Sequence, residues 1–74
     1  MLLTDQLKTA ANLTATEERL RDYILKHLDA VPTITIQQLA AVSYTSHSAV
    51  VRFTKKLGFT GFREFRNQLS KEVQ

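Results

Sequence analysis

The chain has 74 residues, of which 43% are hydrophobic, and its formal net charge is +3 at pH 7. A chain of this length encloses one modest core, so it cannot contain a second domain. Because it buries only about 60% of the surface that its unfolded state exposes, its stability is expected to be marginal unless a partner chain or a domain outside these 74 residues adds contacts. It has no cysteine, so a disulfide framework and a thiolate zinc site are excluded and a reducing, cytoplasmic setting is expected.

A first short helix is predicted near the N-terminus, and it is expected to end at Asn12 and Leu13. Its apolar face consists of Leu3, Leu7, Ala10 and Ala11. This segment lacks the basic start and the unbroken apolar run of a signal peptide. No apolar run in the chain approaches the length of a membrane span, so neither export nor membrane insertion is expected.

A second helix is predicted to begin at Thr14. Glu17 follows three residues later, and this spacing is typical of a capping box, in which each side chain binds the backbone N–H of the other residue. The buried stripe of this helix consists of Leu20, Tyr23, Ile24 and Leu28. Pro32 forbids continuation, because proline has no N–H to donate and its ring clashes with the preceding turn.

A third and a fourth helix are predicted on either side of a polar turn. Thr35 and Gln38 repeat the capping pattern at the start of the third helix. The polar run 43–46 interrupts that helix, and Ser46 is placed to cap the fourth. The inward positions are Ile36, Leu39 and Ala40 on the third helix and Val50, Phe53 and Leu57 on the fourth.

The last helix follows Gly58, which is expected to end the fourth helix as a left-handed cap. The fifth helix begins near Gly61, and its apolar stripe consists of Phe62, Phe65, Leu69 and Val73. The helical phase of the phenylalanines favours core packing over a platform for stacking bases. Arg66 and Lys71 are interpreted as solvated.

Together these elements predict an all-α fold, a compact five-helix domain spanning 1–74 with a helix-turn-helix at about 35–57. Its architecture is a homeodomain-like three-helix core plus flanking helices. The small side chain of Ala40 lets the third and fourth helices approach closely. Leu39, Val50 and Phe53 are expected to pack this crossing from both sides.

The charge is unevenly distributed along the chain. Residues 1–33 carry four bases and five acids, whereas residues 34–74 carry six bases and two acids. With its apolar residues turned inward, the fourth helix leaves an outer face that consists of His47, Ser48, Val51, Arg52 and Lys55. A short helix with such a face suits the major groove of duplex DNA.

Each outer residue can be given a role in base recognition. Arg52 can donate two parallel hydrogen bonds to the O6 and N7 atoms of guanine. His47 and Ser48, at the entering end of the helix, can reach base edges or phosphates. Val51 can contact a thymine methyl group, or instead the edge of the core or another subunit.

Phosphate contacts are expected from two further groups. Lys55 and Lys56 lie farther along the fourth helix and would supply affinity without choosing a sequence. The backbone amides from Thr35 to Gln37, and those around Thr60 and Gly61, lie at helix starts, where phosphate oxygens can bind.

Less specific interpretations remain open. A basic helix face is often only a solvated surface, and Thr35, Gln37 and Ser46 can serve as caps or solvent-facing groups. The domain can also be a helical protein-interaction module or an RNA-binding module. The two histidines lie twenty residues apart without an adjacent carboxylate pair, so no catalytic residue, cofactor or metal is expected.

The stretch 46–62, SHSAVVRFTKKLGFTGF, resembles the N-terminal domain of the RpiR family of bacterial sugar-catabolism regulators. Upstream, the segments LTATE at 13–17 and YIL at 23–25 are also similar to that family. The resemblance implies a five-helix DNA-binding domain of a repressor or activator that acts as a homodimer on inverted half-sites. It also implies a sugar-isomerase-type domain, outside this chain, that binds a phosphosugar effector.

The sequence departs from the expected pattern in and after the turn. Tyr44 stands where many helix-turn-helix proteins have glycine, and Thr45 stands where an apolar residue is common. This predicts a distorted or longer turn. Ala49 replaces the family's usual threonine, which removes a hydroxyl group that could contact a phosphate or a base.

Overall fold

The computed structural model describes residues 2–73, which form five α-helices, one 3-10 turn and no strand. The helices are α1 (Leu3–Thr9), α2 (Ala15–Lys26), α3 (Ile36–Val42), α4 (His47–Lys56) and α5 (Phe62–Val73), and the 3-10 turn spans Val31–Thr33. No helix within the described range is both long and apolar enough to cross a lipid bilayer. The predicted all-α, five-helix fold is confirmed.

Two helix ends differ from the sequence-based prediction. Helix α1 ends at Thr9, because Ala10 has an extended backbone with ψ of 133°, so Ala10 and Ala11 do not continue its apolar face. Helix α2 ends at Lys26, well before Pro32. The carbonyl of His27 accepts hydrogen bonds from the N–H groups of Ala30 and Val31, and this turn replaces the last part of the predicted helix.

The predicted helix starts are confirmed by their hydrogen bonds. The Thr14 hydroxyl accepts from the N–H of Glu17 at 3.2 Å, and the Glu17 carboxylate accepts from the N–H of Thr14 at 2.8 Å. Thr35 and Gln38 form the same reciprocal pair at the start of α3. Both helices therefore begin with a capping box, which satisfies backbone N–H groups that have no partner inside the helix.

All five helices contribute to one hydrophobic core. Its fully buried members are Leu3, Leu7, Leu20, Ile24, Val31, Leu39, Ala40, Val50, Phe53, Phe65 and Leu69. Phe59 and Phe62 pack against this core, and Phe59 meets the ring of Phe65 edge to face at 5.7 Å. The phenylalanines thus serve packing, as predicted. Val73 was expected in the stripe of α5 but is 38% exposed, because it lies in the last turn of that helix.

The helix-turn-helix is formed by α3, residues 43–46 and α4. Tyr44 occupies the left-handed region with φ of 56°. The N–H of Thr45 binds the Ala40 carbonyl at 2.9 Å, and the N–H of Tyr44 binds the Ala41 carbonyl at 3.2 Å. These two bonds define a Schellman motif, the usual way to end a helix. Tyr44 therefore enters a regular turn and does not distort or lengthen it.

Helix α4 ends in the same way. Gly58 has φ of 99°, its N–H binds the Lys55 carbonyl at 3.0 Å, and the N–H of Phe59 binds the Thr54 carbonyl at 3.1 Å. This is the left-handed glycine cap that the sequence predicted. Helix α4 is consequently flanked by two Schellman turns, one with tyrosine and one with glycine at the left-handed position.

The two ends of the described chain meet through one carboxylate. Leu2, at the N-cap of α1, makes no side-chain capping bond, and the Glu72 carboxylate accepts from the N–H groups of Leu3 at 2.7 Å and Thr4 at 3.2 Å. Partial burial acts to raise the pKa of Glu72, but the hydrogen bonds from Leu3, Gln68 and Thr4 outweigh it and lower that pKa. Helix α5 thereby caps helix α1.

Candidate nucleic-acid interface

The outer side of α4 presents an exposed ridge made of Ser48, Arg52 and Lys55. At about 100° per residue, these three positions fall within about 60° of helix circumference. The opposite side carries Val50, Phe53 and Thr54, which are buried. Burial of that face therefore fixes which side chains project from the domain.

Thr54 is a buried polar residue that the sequence pattern did not place in the core. Its hydroxyl donates to the Val51 carbonyl at 2.7 Å, so its polar group is satisfied within the helix. Phe53 and Val50 fill the predicted crossing between α3 and α4 together with Leu39 and Ala40. The predicted packing of the crossing is therefore confirmed.

His47 and Val51 lie beside the ridge on one flank of α4. His47 is exposed and stands in the first turn, whereas Val51 is half-buried. Val51 therefore offers only part of its side chain to a partner outside the domain. Ala49 and Lys56 lie on the other flank, which faces the start of α2.

Ser46 acts as the N-cap of α4, as predicted. Its hydroxyl accepts from the N–H of Ala49 at 3.2 Å. The partial positive charge of the helix dipole lies at this end, next to His47 and Ser48. An anion that approached the ridge from this side would meet exposed side chains and a favourable helix end together.

A cleft of about 510 Å³ separates the first turn of α2 from the first half of α4. Its lining consists of Thr14, Thr16, Glu17, Thr45, Ser46, Ala49 and Arg52. Arg52 thus has room on the side away from the core. Among residues 2–73, neither Arg52 nor Lys55 takes part in an ion pair.

Lys56 differs from its neighbour Lys55. Its ammonium group donates to the Asn12 carbonyl at 2.8 Å and to the Glu17 carboxylate at 3.1 Å. The predicted phosphate contact of Lys56 remains a prediction, since its charge already has partners within the domain. No local sequence pattern indicated this link, because its partners lie 39 and 44 residues away.

Thr35 and Gln37 lie apart from the ridge, at the start of α3. Seven helical residues, with a rise of about 10 Å, separate Thr35 from the turn that leads into α4. The Thr35 hydroxyl is an acceptor in its capping box, and Gln37 is exposed. At the start of α5, the Thr60 hydroxyl donates to the Glu64 carboxylate at 2.6 Å. This places a negative charge near the backbone amides around Thr60 and Gly61, where a phosphate contact was predicted.

Two arginines outside α4 donate to backbone carbonyls of other parts of the fold. The Arg66 guanidinium donates to the Ile34 carbonyl at 3.0 Å and lies 5.8 Å from the centre of the Phe62 ring. Its interpretation as a solvated side chain is therefore wrong, whereas Lys71 is exposed. Arg19, which the sequence did not single out, donates through Nε to the Ser43 carbonyl at 3.1 Å. It thereby joins α2 to the turn before α4.

Comparisons with known proteins agree with this geometry. A family profile described as a helix-turn-helix domain of the rpiR family matches residues 1–74. The chain is 40% identical over 60 residues to a helix-turn-helix-type transcriptional regulator of Clostridium perfringens, and the match covers 81% of this chain and 22% of that protein. No solved structure matched the chain significantly.

Two further relatives are also described as helix-turn-helix-type transcriptional regulators. YfhH of Escherichia coli is 37% identical over 61 residues, which cover 82% of this chain and 22% of that protein. A regulator of Providencia stuartii is 32% identical over 74 residues, which cover 97% of this chain and 26% of that protein. The chain therefore spans about a quarter of the length of these relatives, or less.

Proposed function

Because the chain belongs to the rpiR family of helix-turn-helix domains, whose relatives are transcriptional regulators, we propose that it binds an operator by inserting α4 into the major groove of duplex DNA. The observation that carries this proposal is the ridge of Ser48, Arg52 and Lys55. It stands opposite a fully buried face, and its two cations have no ion-pair partner within residues 2–73.

The ridge and its flank supply the base contacts. Arg52 donates to the O6 and N7 atoms of guanine, a contact worth about 1–3 kcal/mol of discrimination against the wrong base. His47 and Ser48 approach base edges or phosphates from the first turn of α4. The exposed part of the half-buried Val51 side chain meets a thymine methyl group.

Phosphate contacts supply affinity and orientation. Lys55 contributes its charge, and the helix starts at Ser46 and at Thr35 to Gln37 contribute backbone amides. Both caps leave the hydroxyl hydrogen available, because the oxygen is the acceptor in each capping bond. Lys56 joins this set only if its bonds to α2 and the preceding loop are broken on binding.

We further propose that the whole protein is a bacterial regulator of sugar or sugar-phosphate metabolism. Family membership and the greater length of the relatives support this proposal. In it, two copies bind inverted half-sites as a homodimer, and a phosphosugar effector binds outside the present chain. The effector then sets the affinity of this domain for its operator.

Selection of duplex DNA from a random pool, followed by titration at several salt concentrations, tests the DNA-binding proposal. If about five phosphates are neutralised at each half-site, log affinity falls with log salt at a slope of about −4 to −5. Binding that does not depend on salt would rule out this mode. Stronger binding to single-stranded or A-form competitors would favour RNA, and the absence of any nucleic-acid binding would favour a protein partner.

A further inference from the structure

Glu17 connects the start of α2 to the end of α4. One of its oxygens, Oε1, accepts from the N–H of Thr14 at 2.8 Å and from the Lys56 ammonium at 3.1 Å. The same ammonium donates to the carbonyl of Asn12 at 2.8 Å. Lys56 of α4 is therefore held both by the loop before α2 and by the first turn of α2.

The two members of this pair are enclosed to different degrees, and Glu17 is the more buried one, since the Lys56 side chain is 41% exposed. The Glu17 side chain is 15% exposed, whereas the side chain of neighbouring Glu18 is 55% exposed. The backbone bond from Thr14 lowers the pKa of Glu17, partial burial opposes this, and Lys56 lowers it further. Glu17 is therefore charged at neutral pH, which maintains its attraction for Lys56.

A second link holds the turn that precedes α4. Arg19 donates to the Ser43 carbonyl at 3.1 Å and to the Thr16 hydroxyl at 3.2 Å. Ser43 begins the turn that leads into α4. The first two turns of α2 thus make two contacts with this region. Arg19 contacts the turn before α4, and Glu17 contacts Lys56, the last residue of α4. The ridge lies between these two contacts.

We propose that Glu17 and Lys56 are positioning residues for DNA recognition, an inference that rests on the proposed function. The buried face of α4 sets which side chains project, and by holding Lys56, Glu17 limits the remaining movement of the exposed flank, so that the ridge meets the base edges in one orientation. It also keeps the Lys56 ammonium away from phosphates. Base contacts need fixed geometry, whereas phosphate contacts tolerate movement, so loss of the pair reduces discrimination more than it reduces affinity.

The substitution Glu17→Gln separates the two roles of this residue. Glutamine is accepted at the third position of a capping box, so its amide oxygen can still bind the N–H of Thr14. The charge that holds Lys56 is lost. We expect the ratio of specific to non-specific DNA affinity to fall by about threefold, which is within the range for a single ion pair. The released ammonium should make the salt slope steeper by about 0.9.

The test measures affinity for the selected duplex and for a scrambled duplex at four salt concentrations, with circular dichroism to verify folding. Lys56→Met should lower the specificity ratio without making the salt slope shallower. In the double variant, Glu17→Gln with Lys56→Met, the specificity ratio should be no lower than in Lys56→Met alone. Glu18→Gln is the matched control and should leave the ratio unchanged. Lys55→Met should make the slope shallower by about 0.9.

The inference is overturned if Lys56→Met makes the salt slope shallower as Lys55→Met does, or if it leaves the ratio at the wild-type value. Lys56→Met decides the question even if Glu17→Gln does not fold. A wild-type domain without preference for its selected duplex would instead overturn the proposed function itself. The two failures are therefore distinguished by the wild-type titration.

Discussion

The two Schellman turns that flank α4 predict opposite effects of substitution. Tyr44 holds a left-handed backbone with φ of 56°, which costs an L-residue about 1–2 kcal/mol. Tyr44→Gly removes this cost, but glycine gives the unfolded chain extra freedom worth about 0.5–1 kcal/mol. The tyrosine side chain is 83% exposed, so its removal sacrifices little burial. We expect a net gain of about 0.5 kcal/mol in the free energy of unfolding, which follows from these two opposing terms.

Gly58 supplies the counterpart, because its φ is 99° and an added Cβ would meet no atom within 4 Å. Gly58→Ala is therefore not opposed by a clash, and its effect reports backbone strain. We expect a loss of about 1 kcal/mol, since alanine is incompatible with this conformation. In a domain of this size, a change of 1 kcal/mol shifts Tm by about 4–8 °C.

Urea denaturation and thermal melting of the two variants measure both changes. Tyr44→Gly should raise Tm by about 2–4 °C, whereas Gly58→Ala should lower it by about 4–8 °C. Thr45→Gly is a control outside the left-handed position and should be destabilising. The reasoning would be refuted if Tyr44→Gly lowered stability as much as Thr45→Gly, because Tyr44 would then make contacts worth more than its backbone strain.

Three further predictions concern the acid response, the ridge and the buried turn. Glu72→Ala should cost about 1 kcal/mol at pH 7, the value of a lost cap, because alanine has no oxygen to accept from the N–H groups of Leu3 and Thr4. Because the pKa of Glu72 is lowered in the folded state, its contribution is present above the ordinary value of 4.5 and is lost as pH falls through the folded-state pKa. The variant should therefore lose less stability than wild type between pH 7 and pH 3 in urea titrations, and an identical decline in both proteins would contradict this. Arg52→Ala should abolish preference at one base position in a mobility-shift series, while Lys55→Ala should weaken binding to all sequences alike; uniform weakening by both would remove Arg52 from base recognition. Ser43→Ala should raise the free energy of unfolding by about 1 kcal/mol, because the Ser43 hydroxyl is buried without a hydrogen-bond partner among the described residues, and a measurable loss would show that the hydroxyl has a partner.

Interactions between near neighbours in the sequence were predictable. The capping boxes at Thr14 and Thr35 and the cap at Ser46 join residues three positions apart. The inward phase of Val50 and Phe53 follows from helical periodicity, and the ridge is the complement of that buried face. The candidate interface on α4 could therefore be read from local patterns.

Interactions between distant residues were not predictable in this way. Charge alone assigned Lys55 and Lys56 the same role, but the fold brings Glu17 beside Lys56, whereas Lys55 has no ion-pair partner among residues 2–73. Nothing near Leu2 indicated that the cap of α1 would come from Glu72. The early end of α1 had the same cause, since Ala10 and Ala11 fit a helical pattern and tertiary contacts decide where so short a helix stops.

The carboxylate of Glu72 also has a consequence for how the domain opens. Helix α1 has seven residues, fewer than the roughly 12–15 that an isolated helix needs to persist in water. Its persistence therefore depends on packing against α2 and α5 and on the cap that Glu72 supplies. In native-state hydrogen exchange, the amides of α1 should open together with the last turn of α5, at a lower free energy than those of α4. Such exchange would define α1 and the last turn of α5 as one cooperative unit that opens while the helix-turn-helix stays folded.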